Sequence, residues 1–436
     1  MSVDLLFELL AEHLLVVLLL SLMVLEMFKA SPRLAGVLLS LTLFAACTGL
    51  IGQYSGGEGM RPVVPGEIRV DLFAVTAKEV LLGCTLLWSL AFRSSLTFKA
   101  AFLVASSALG GLLVLDSAGF IPLFIGIELL SLPAFALMVH GVGETSAAEG
   151  AFKYLLLSCV ASAMLLLGIA LSYGATGTLA IDTFAQGLGG PFLERTAAGL
   201  LVLCGLLFKA AVFPFHGWAP DAYGGSTMPV TALLASVTKG AVVLALVRVF
   251  GDAVLHSAIV AVVVTLSILS IFYGNLTAVR QQRFRRLLAY SSIAHAGYML
   301  LALADTTGSR GENLLWYVAI YSAVVVVACA GFAALCPEGR DEVGGLDGAF
   351  QARPGAALLF GLAMLSLAGL PPLPGFFAKL LIFRSVIASG HLTVACIAFA
   401  GSFIGFTYYA GLFFRLFASA PWSADARGTS GLPLGD

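Results

Sequence analysis

The feature that most constrains this chain is the repeated return of apolar runs about 18–25 residues long, the length a helix needs to cross a bilayer. Thirteen can be marked: 5–27, 34–54, 70–92, 98–115, 118–139, 151–174, 196–216, 228–250, 256–278, 286–304, 313–335, 355–388 and 391–417. Of the 436 residues, 60% are hydrophobic and only 11% are charged. A soluble domain carries about 25% charged residues, so this chain cannot surround itself with water. An all-α polytopic membrane protein of about 13 transmembrane helices is expected. A net charge of −1 offers no field to nucleic acid. The first run lacks a basic start and a small-residue cleavage site, so it reads as a helix and not as a signal peptide.

Basic residues set the expected orientation. One set of loops holds Lys29, Arg33, Arg93, Lys99, Lys153, Arg280, Arg283, Arg285, Arg286, Arg340, Arg353, Arg415 and Arg427. The opposite set holds Arg61, Arg69, Arg195, Arg248, Arg310 and Arg384. The richer side is expected to be cytoplasmic. This leaves the N-terminus outside, the C-terminus inside, and four of the 23 Lys and Arg residues within the spans: Lys78, Lys209, Lys239 and Lys379. The seven cysteines show no CxxC spacing and most fall inside apolar runs, which suits packing better than metal ligation or a disulfide framework.

Two spans are interrupted by proline. "LLFKAAVFPFHGWAPDAY" (206–223) contains Pro214 and Pro220, and "LSLAGLPPLPGFFAKLLIF" (365–383) contains Pro371, Pro372 and Pro374. Proline removes a backbone donor, and in a bilayer the freed carbonyls need protein or water partners. The two breaks are five helices apart, and each lies close to a lysine. Paired breaks at matching positions suggest an internal repeat and an ion pathway. Five is odd, so helices four to eight and nine to thirteen would be inverted relative to one another. The expected division is 1–97 for helices one to three, 98–250 and 251–418 for the two repeats, and 419–436 for a polar C-terminal tail.

A charge at the bilayer centre costs at least about 2.5–3.5 kcal/mol on insertion scales. Glu128, Lys209, Lys239 and Lys379 therefore need an explanation. They could be structural ion pairs. Four such charges, two of them beside helix breaks, favour a proton relay instead, since burial favours a neutral amine while a nearby carboxylate favours the ammonium, and opposed terms make a switch. His295, in "YSSIAHAGYM", is either a hydrogen-bonding residue of the packed interior or a proton carrier. Lys153, at the opening of helix six with Glu149, either snorkels or serves the pathway. Lys78 is expected to snorkel, Asp116 to be an ordinary loop residue, Asp221 to cap a helix, and His216 to line an entrance or sit at the interface. The cluster "RQQRFRR" (280–286) is expected to anchor the inside face.

The segments "ELLSLPAFAL", "EGAFKYLLLSCVASAMLLLGIALSYGATGTL", "LLFKAAVFPFHGWAPDAYGGSTMPVTALLASVTK", "RRLLAYSSIAHAGYM" and "LSLAGLPPLPGFFAKLLIF" resemble, in order, the antiporter-like membrane subunits of respiratory complex I, above all the subunit-N family. The resemblance covers residues 70 to 417. It implies two inverted five-helix repeats, discontinuous helices seven and twelve, and a proton channel around Glu128, Lys209, Lys239 and Lys379. It implies no cofactor in this chain, with NADH, FMN, iron–sulfur clusters and quinone handled by partner membrane and peripheral subunits. It further implies a multi-pass protein of the cell's inner (plasma) membrane. The family's fourteen helices exceed the thirteen runs here, so a last helix is missing or lies beyond the given sequence. The linker "YGGSTMPV" also departs from the family's usual form. A subunit of a multi-subunit cation/proton antiporter, or of a related hydrogenase or F420-linked dehydrogenase membrane arm, is the alternative transport reading. A passive membrane scaffold is the alternative of another class.

Overall fold

The computed structural model describes residues 7–55, 61–140, 145–189, 193–251, 253–336 and 341–419. The chain runs through α1 (Leu10–Met27), α2 (Arg33–Ser55), α3 (Leu72–Ala91), α4 (Phe98–Asp116), α5 (Phe120–Val139), α6 (Thr145–Thr176), α7 (Ile181–Gly187), α8 (Leu193–Lys209), α9 (Ala219–Gly225), α10 (Met228–Leu233), α11 (Lys239–Phe250), α12 (Ser257–Ala278), α13 (Phe284–Leu301), α14 (Arg310–Leu335), α15 (Ala349–Ala352), α16 (Pro354–Ala368), α17 (Pro374–Ala388) and α18 (Leu392–Arg415). Eleven stretches among the described residues are long and apolar enough to cross a membrane, one of them the Met228–Phe250 run that joins α10 to α11. The polar tail expected at 419–436 lies outside the described residues from 420 onward.

Starts and stops follow local chemistry. Asp71 Oδ1 accepts the Ala74 N–H at 2.8 Å and caps α3, and Thr97 Oγ1 accepts Ala100 N–H at the start of α4. The expected breaks are real. Residues 196–216 do not form one helix, since α8 stops at Lys209 and α9 resumes at Ala219. Likewise 355–388 divides into α16 and α17, with Gly369 in the left-handed region (φ 86°) closing α16.

Burial places the functional axis. The most apolar 18 residues of the Met228–Phe250 stretch are all buried, as are 94% of those of Phe284–Ala304, whereas in α6, α12 and α18 the share is only 33%. The first two are therefore the centre of the bundle, and the others face outward. The centre also contains a five-residue π-helical turn, Leu234–Thr238, which leads directly into Lys239.

One face carries a small antiparallel hairpin, β1 (Arg61–Val64) and β2 (Ile68–Val70), turning at Gly66. The hairpin is knitted to the α4–α5 turn through the Ile68–Ser117 bridge. Arg248, buried at the end of α11, fastens the same region: its guanidinium reaches the Ser117 and Arg69 carbonyls and Asp71. Arg310 donates to the carbonyls of Asp305, Phe250 and Ala253. Both arginines, expected in loops, are thus spent on helix-end carbonyls. On the opposite face Arg285 pairs with Asp341, and Arg286 pairs with Asp221, which also holds Lys153. Asp221 therefore ties α6, α9 and α13 together rather than simply capping a helix.

Gly375 shows how closely the second break is packed. A Cβ there would run into the Ser366 carbonyl oxygen. Gly375→Ala must push α17 away from α16, a backbone clash beyond ordinary overpacking. The amount of folded chain recovered from membranes is expected to fall several-fold; immunoblotting of membrane fractions with a thermal melt of the purified material checks this.

Candidate functional site

The candidate relay residues Glu128, Lys209, Lys239, Lys379 and His295 occupy two polar clusters, and Lys153 lies at the surface. In the first cluster, Lys209 ends α8 with its side chain turned toward α5 and α6. Its Nζ lies 3.4 Å from Glu128 Oε1 and donates to Ser131 Oγ at 3.0 Å and Ser158 Oγ at 2.5 Å. Glu128 also accepts from Ser162 Oγ at 2.6 Å. The Lys209 side chain is 2% exposed and that of Glu128 is 25% exposed, so the pair has a buried end and an accessible end. The break that follows frees the chain to turn: Ala211 adopts φ 57°, a left-handed conformation strained for a residue with a Cβ, and Trp218 donates its indole N–H to the Phe208 carbonyl.

The second cluster surrounds Lys239 and Lys379. Lys239 donates to both the carbonyl and the hydroxyl of Ser292. Lys379, one and a half turns into α17, reaches back across the break to the Leu367 and Ala368 carbonyls and to Ser402 Oγ, each at 3.0 Å. It thereby caps the C-terminal end of α16, where a cation is favoured. Its Nζ also stands 5.2 Å from the centre of the Tyr298 ring. Unlike Lys209, neither lysine has an acidic hydrogen-bond partner among the described residues.

His295 lies between them. One ring nitrogen bonds the Tyr317 hydroxyl at 2.9 Å and the other the Tyr409 hydroxyl at 3.2 Å. Tyr409 is bonded to Ser291, its ring is centred 4.3 Å from that of Tyr408, and Tyr408 donates to Asn275 Oδ1 at 3.0 Å. Asn275 donates to the Gly401 carbonyl at 3.1 Å and toward the Tyr298 hydroxyl at 3.5 Å, and the Tyr298 ring is the one beneath the Lys379 amine. On the other side the Tyr321 ring is centred 4.8 Å from that of His295, and its hydroxyl has no hydrogen-bond partner among the described residues. Polar side chains thus run from Lys239 past His295 to Lys379. A cavity of about 10 Å³, close to what a single water needs, lies beside His295, Tyr317, Tyr321 and Ser366.

The two clusters meet at an aromatic column. Phe135 stands edge-on to Tyr154, Tyr154 stacks on Trp218 with centroids 3.9 Å apart, and Trp218 stands edge-on to Tyr223. The Tyr223 hydroxyl is 3.4 Å from Ser292 Oγ. Trp218 has one N–H and has committed it to Phe208, so the tyrosine hydroxyls are the column's exchangeable groups.

The structure brings Glu128 to Lys209, and His295 to the surroundings of Lys239 and Lys379. It does not bring Lys153 to them: that side chain is 45% exposed and paired with Glu149 and Asp221 at a membrane face. Two expectations are corrected. Lys78 does not snorkel but is fully buried, and Asp116 is not a loop residue but the buried end of α4, bonded to Lys78. His216 is half-buried between Phe213 and Tyr273, without a hydrogen-bond partner on Nδ1. The serines, the five tyrosines of the second cluster and Asn275 escaped the sequence reading; buried aromatics at helical spacing look like ordinary core. Among the described residues no group of three or more His, Cys, Asp or Glu side chains could hold a metal ion, and no two cysteines are joined in a disulfide.

Residues 117–405 match the family described as NADH:quinone oxidoreductase/Mrp antiporter, TM. The chain is 49% identical over 420 residues to NADH-quinone oxidoreductase subunit N of Pelobacter propionicus, covering 96% of this chain and 90% of that protein. It superposes with a TM-score of 0.82 and 35% identity on a chain of respiratory complex I from Thermus thermophilus, covering 94% of this chain and 90% of that one. A chain of the Mrp complex from a Dietzia species matches with a TM-score of 0.85 at 24% identity over 99% of this chain and 86% of that one, a likeness of fold alone.

Removing the two hydroxyls in Ser131→Ala/Ser158→Ala leaves the Lys209 amine with Glu128 as its one hydrogen-bond partner. A buried polar group stripped of partners costs about 1–3 kcal/mol. The purified double variant is expected to unfold at a lower temperature than Ser162→Ala, which leaves those bonds in place; differential scanning fluorimetry compares the two.

Proposed function

Because the chain belongs to the NADH:quinone oxidoreductase/Mrp antiporter transmembrane family, we propose that it is a subunit-N-type membrane subunit of an NADH:quinone oxidoreductase and carries protons across the bilayer. The observation that carries this reading is the set of three lysines held inside the bundle, each on a different kind of acceptor: a carboxylate with serines, a serine alone, and the carbonyls of a broken helix. A purely structural set of charges would be expected to pair off, and two of these lysines do not.

In the proposed path, Glu128 and Lys209 change charge state together when redox chemistry elsewhere in the complex alters the field at the accessible carboxylate. A charge at Lys209 acts across the aromatic column on Lys239, and protons pass along the His295 row to Lys379. NADH oxidation, FMN, the iron–sulfur clusters and quinone belong in this reading to partner subunits, with no redox centre in this chain. Lys153 stands as a candidate for the entrance on its own face. The protein would sit in the cell's inner membrane with the N-terminus outside and the C-terminus in the cytoplasm, following the excess of basic residues.

The inverted five-helix repeats, α4–α11 and α12–α18, find support in two likenesses. Each unit begins with a helix pair in glycine contact, Gly110 against Leu130 and Gly126, and Gly274 against Tyr290 and Ala294. Each also contains a broken span, although the lysine precedes the break in the first and follows it in the second. The antiporter alternative would declare itself by sodium dependence of transport.

In membrane vesicles carrying the assembled complex, Lys209→Met is expected to lower proton pumping about tenfold or more, the scale of losing a proton-transfer group, and to slow coupled electron transfer. Lys209→Arg, which keeps a charge but does not readily release a proton, should also fail to pump. Full pumping by an assembled Lys209→Met complex would remove Lys209 from the path and leave the scaffold reading.

A further inference from the structure

Away from the three lysines of the proposed path lies another cluster of titratable groups, on the β1–β2 face. Lys78 of α3 is fully buried. Its Nζ donates at 2.9 Å to Glu12 Oε1 of α1 and at 2.9 Å to Asp116 Oδ2 at the end of α4. The Asp116 side chain is 1% exposed and that of Glu12 is 14% exposed. The two remaining carboxyl oxygens, Glu12 Oε2 and Asp116 Oδ1, are both buried and have no hydrogen-bond donor. Both carboxyl groups bond the same Lys78 nitrogen, so they lie side by side around it. Ionised carboxylates can only accept, so the two orphaned oxygens cannot satisfy one another until a hydrogen atom joins them.

Charge leads to the same place. Fully ionised, the cluster carries one net negative charge inside the bundle, where an uncompensated charge is costly. The neighbouring elements do not supply the missing positive charge. Arg248 of α11 bonds the Ser117 carbonyl beside Asp116, but its charge is matched by Asp71. Arg69 of the hairpin is held by Asp71 and Asp182. Arg310 of α14 serves backbone carbonyls at the ends of its neighbours. His13 of α1 is bonded to the Leu9 carbonyl, and Glu79 beside Lys78 would only add negative charge.

We infer that Glu12, Asp116 and Lys78 form a proton-binding site in which the two carboxyl groups share one proton and the lysine is the fixed counter-cation. The site has no residue in common with the Glu128–Lys209–Lys239–Lys379 set. The site lies near the proposed path: α4 touches α11 at Gly111 and Ala241, two residues from Lys239, and Asp116 lies five residues further along α4, about 7.5 Å toward the β1–β2 face. The proton binding itself does not depend on the pumping reading.

Infrared difference spectroscopy on the whole complex, between neutral and alkaline pH in ordinary and heavy water, reads protonated carboxyl C=O bands directly. Asp116→Asn and Glu12→Gln each replace a carboxyl by an amide that can still donate across the shared contact, so both should assemble. In either variant the remaining carboxylate pairs with Lys78 and has no need of a proton. The expected result is one protonated-carboxyl band in the wild type that is lost in each variant and retained in Lys209→Met. A spectrum unchanged in both variants overturns the inference and leaves a fully ionised triad. Should one variant fail to assemble, the other decides alone, since the shared proton disappears with either partner. Lys209→Met keeps the two ideas apart: lost pumping with the band intact bears on the relay, and a lost band bears on this site.

Discussion

Hydrocarbon offers no hydrogen bonds, so every polar group at depth in this bundle must be satisfied by the protein. The rest of the structure follows from that constraint. Where a helix stops inside the membrane, its last carbonyls need donors. At the first break these come from the turning backbone and from Trp218, whose N–H reaches Phe208. At the second they come from Lys379, which bonds the carbonyls of Leu367 and Ala368. The breaks and the buried amines are thus two halves of one solution. A proline-interrupted helix supplies acceptors at mid-depth, and a lysine is the side chain long enough to reach them with several donors.

The same constraint explains why serine recurs beside the charges. Ser131, Ser158 and Ser162 surround the Glu128–Lys209 pair, Ser292 holds Lys239, and Ser402 holds Lys379. A hydroxyl both donates and accepts, so it can follow a neighbour that gains or loses a proton without leaving an orphan. A carboxylate in those places would fix the lysine charge, and an alanine would leave it bare. Elsewhere the structure pairs arginine directly with a carboxylate, as in Arg248 with Asp71 and Arg286 with Asp221.

Much of this was legible in the sequence because the membrane imposes its own arithmetic. A span needs about twenty apolar residues, which a single window detects, and a lysine within such a window announces itself by its cost. Both proline breaks, Glu128 and the central histidine could be found in that way. Partnership was not legible. Lys78 looked like an interfacial residue because its window says nothing of Glu12, 66 positions earlier, or Asp116, 38 positions later. The tyrosines around His295 have the spacing of core residues, and a hydroxyl aimed at a histidine leaves no mark on periodicity. The π-turn before Lys239 is likewise invisible, since Leu234–Thr238 reads as ordinary helix.

The amide of Asn275 gives the row between His295 and Lys379 a direction. Its nitrogen is held by the Gly401 carbonyl, so its oxygen must face Tyr408, and Tyr408 must spend its only hydrogen there. Tyr408 can then only accept from any other neighbour. Hydroxyls turn like small rotors, but a clamped amide does not. The Tyr298 hydroxyl faces the nitrogen of that amide and the Tyr408 hydroxyl faces its oxygen. Asn275 is thus a fixed point between two hydroxyls, and the polarity of each is set by which face of that one amide it meets.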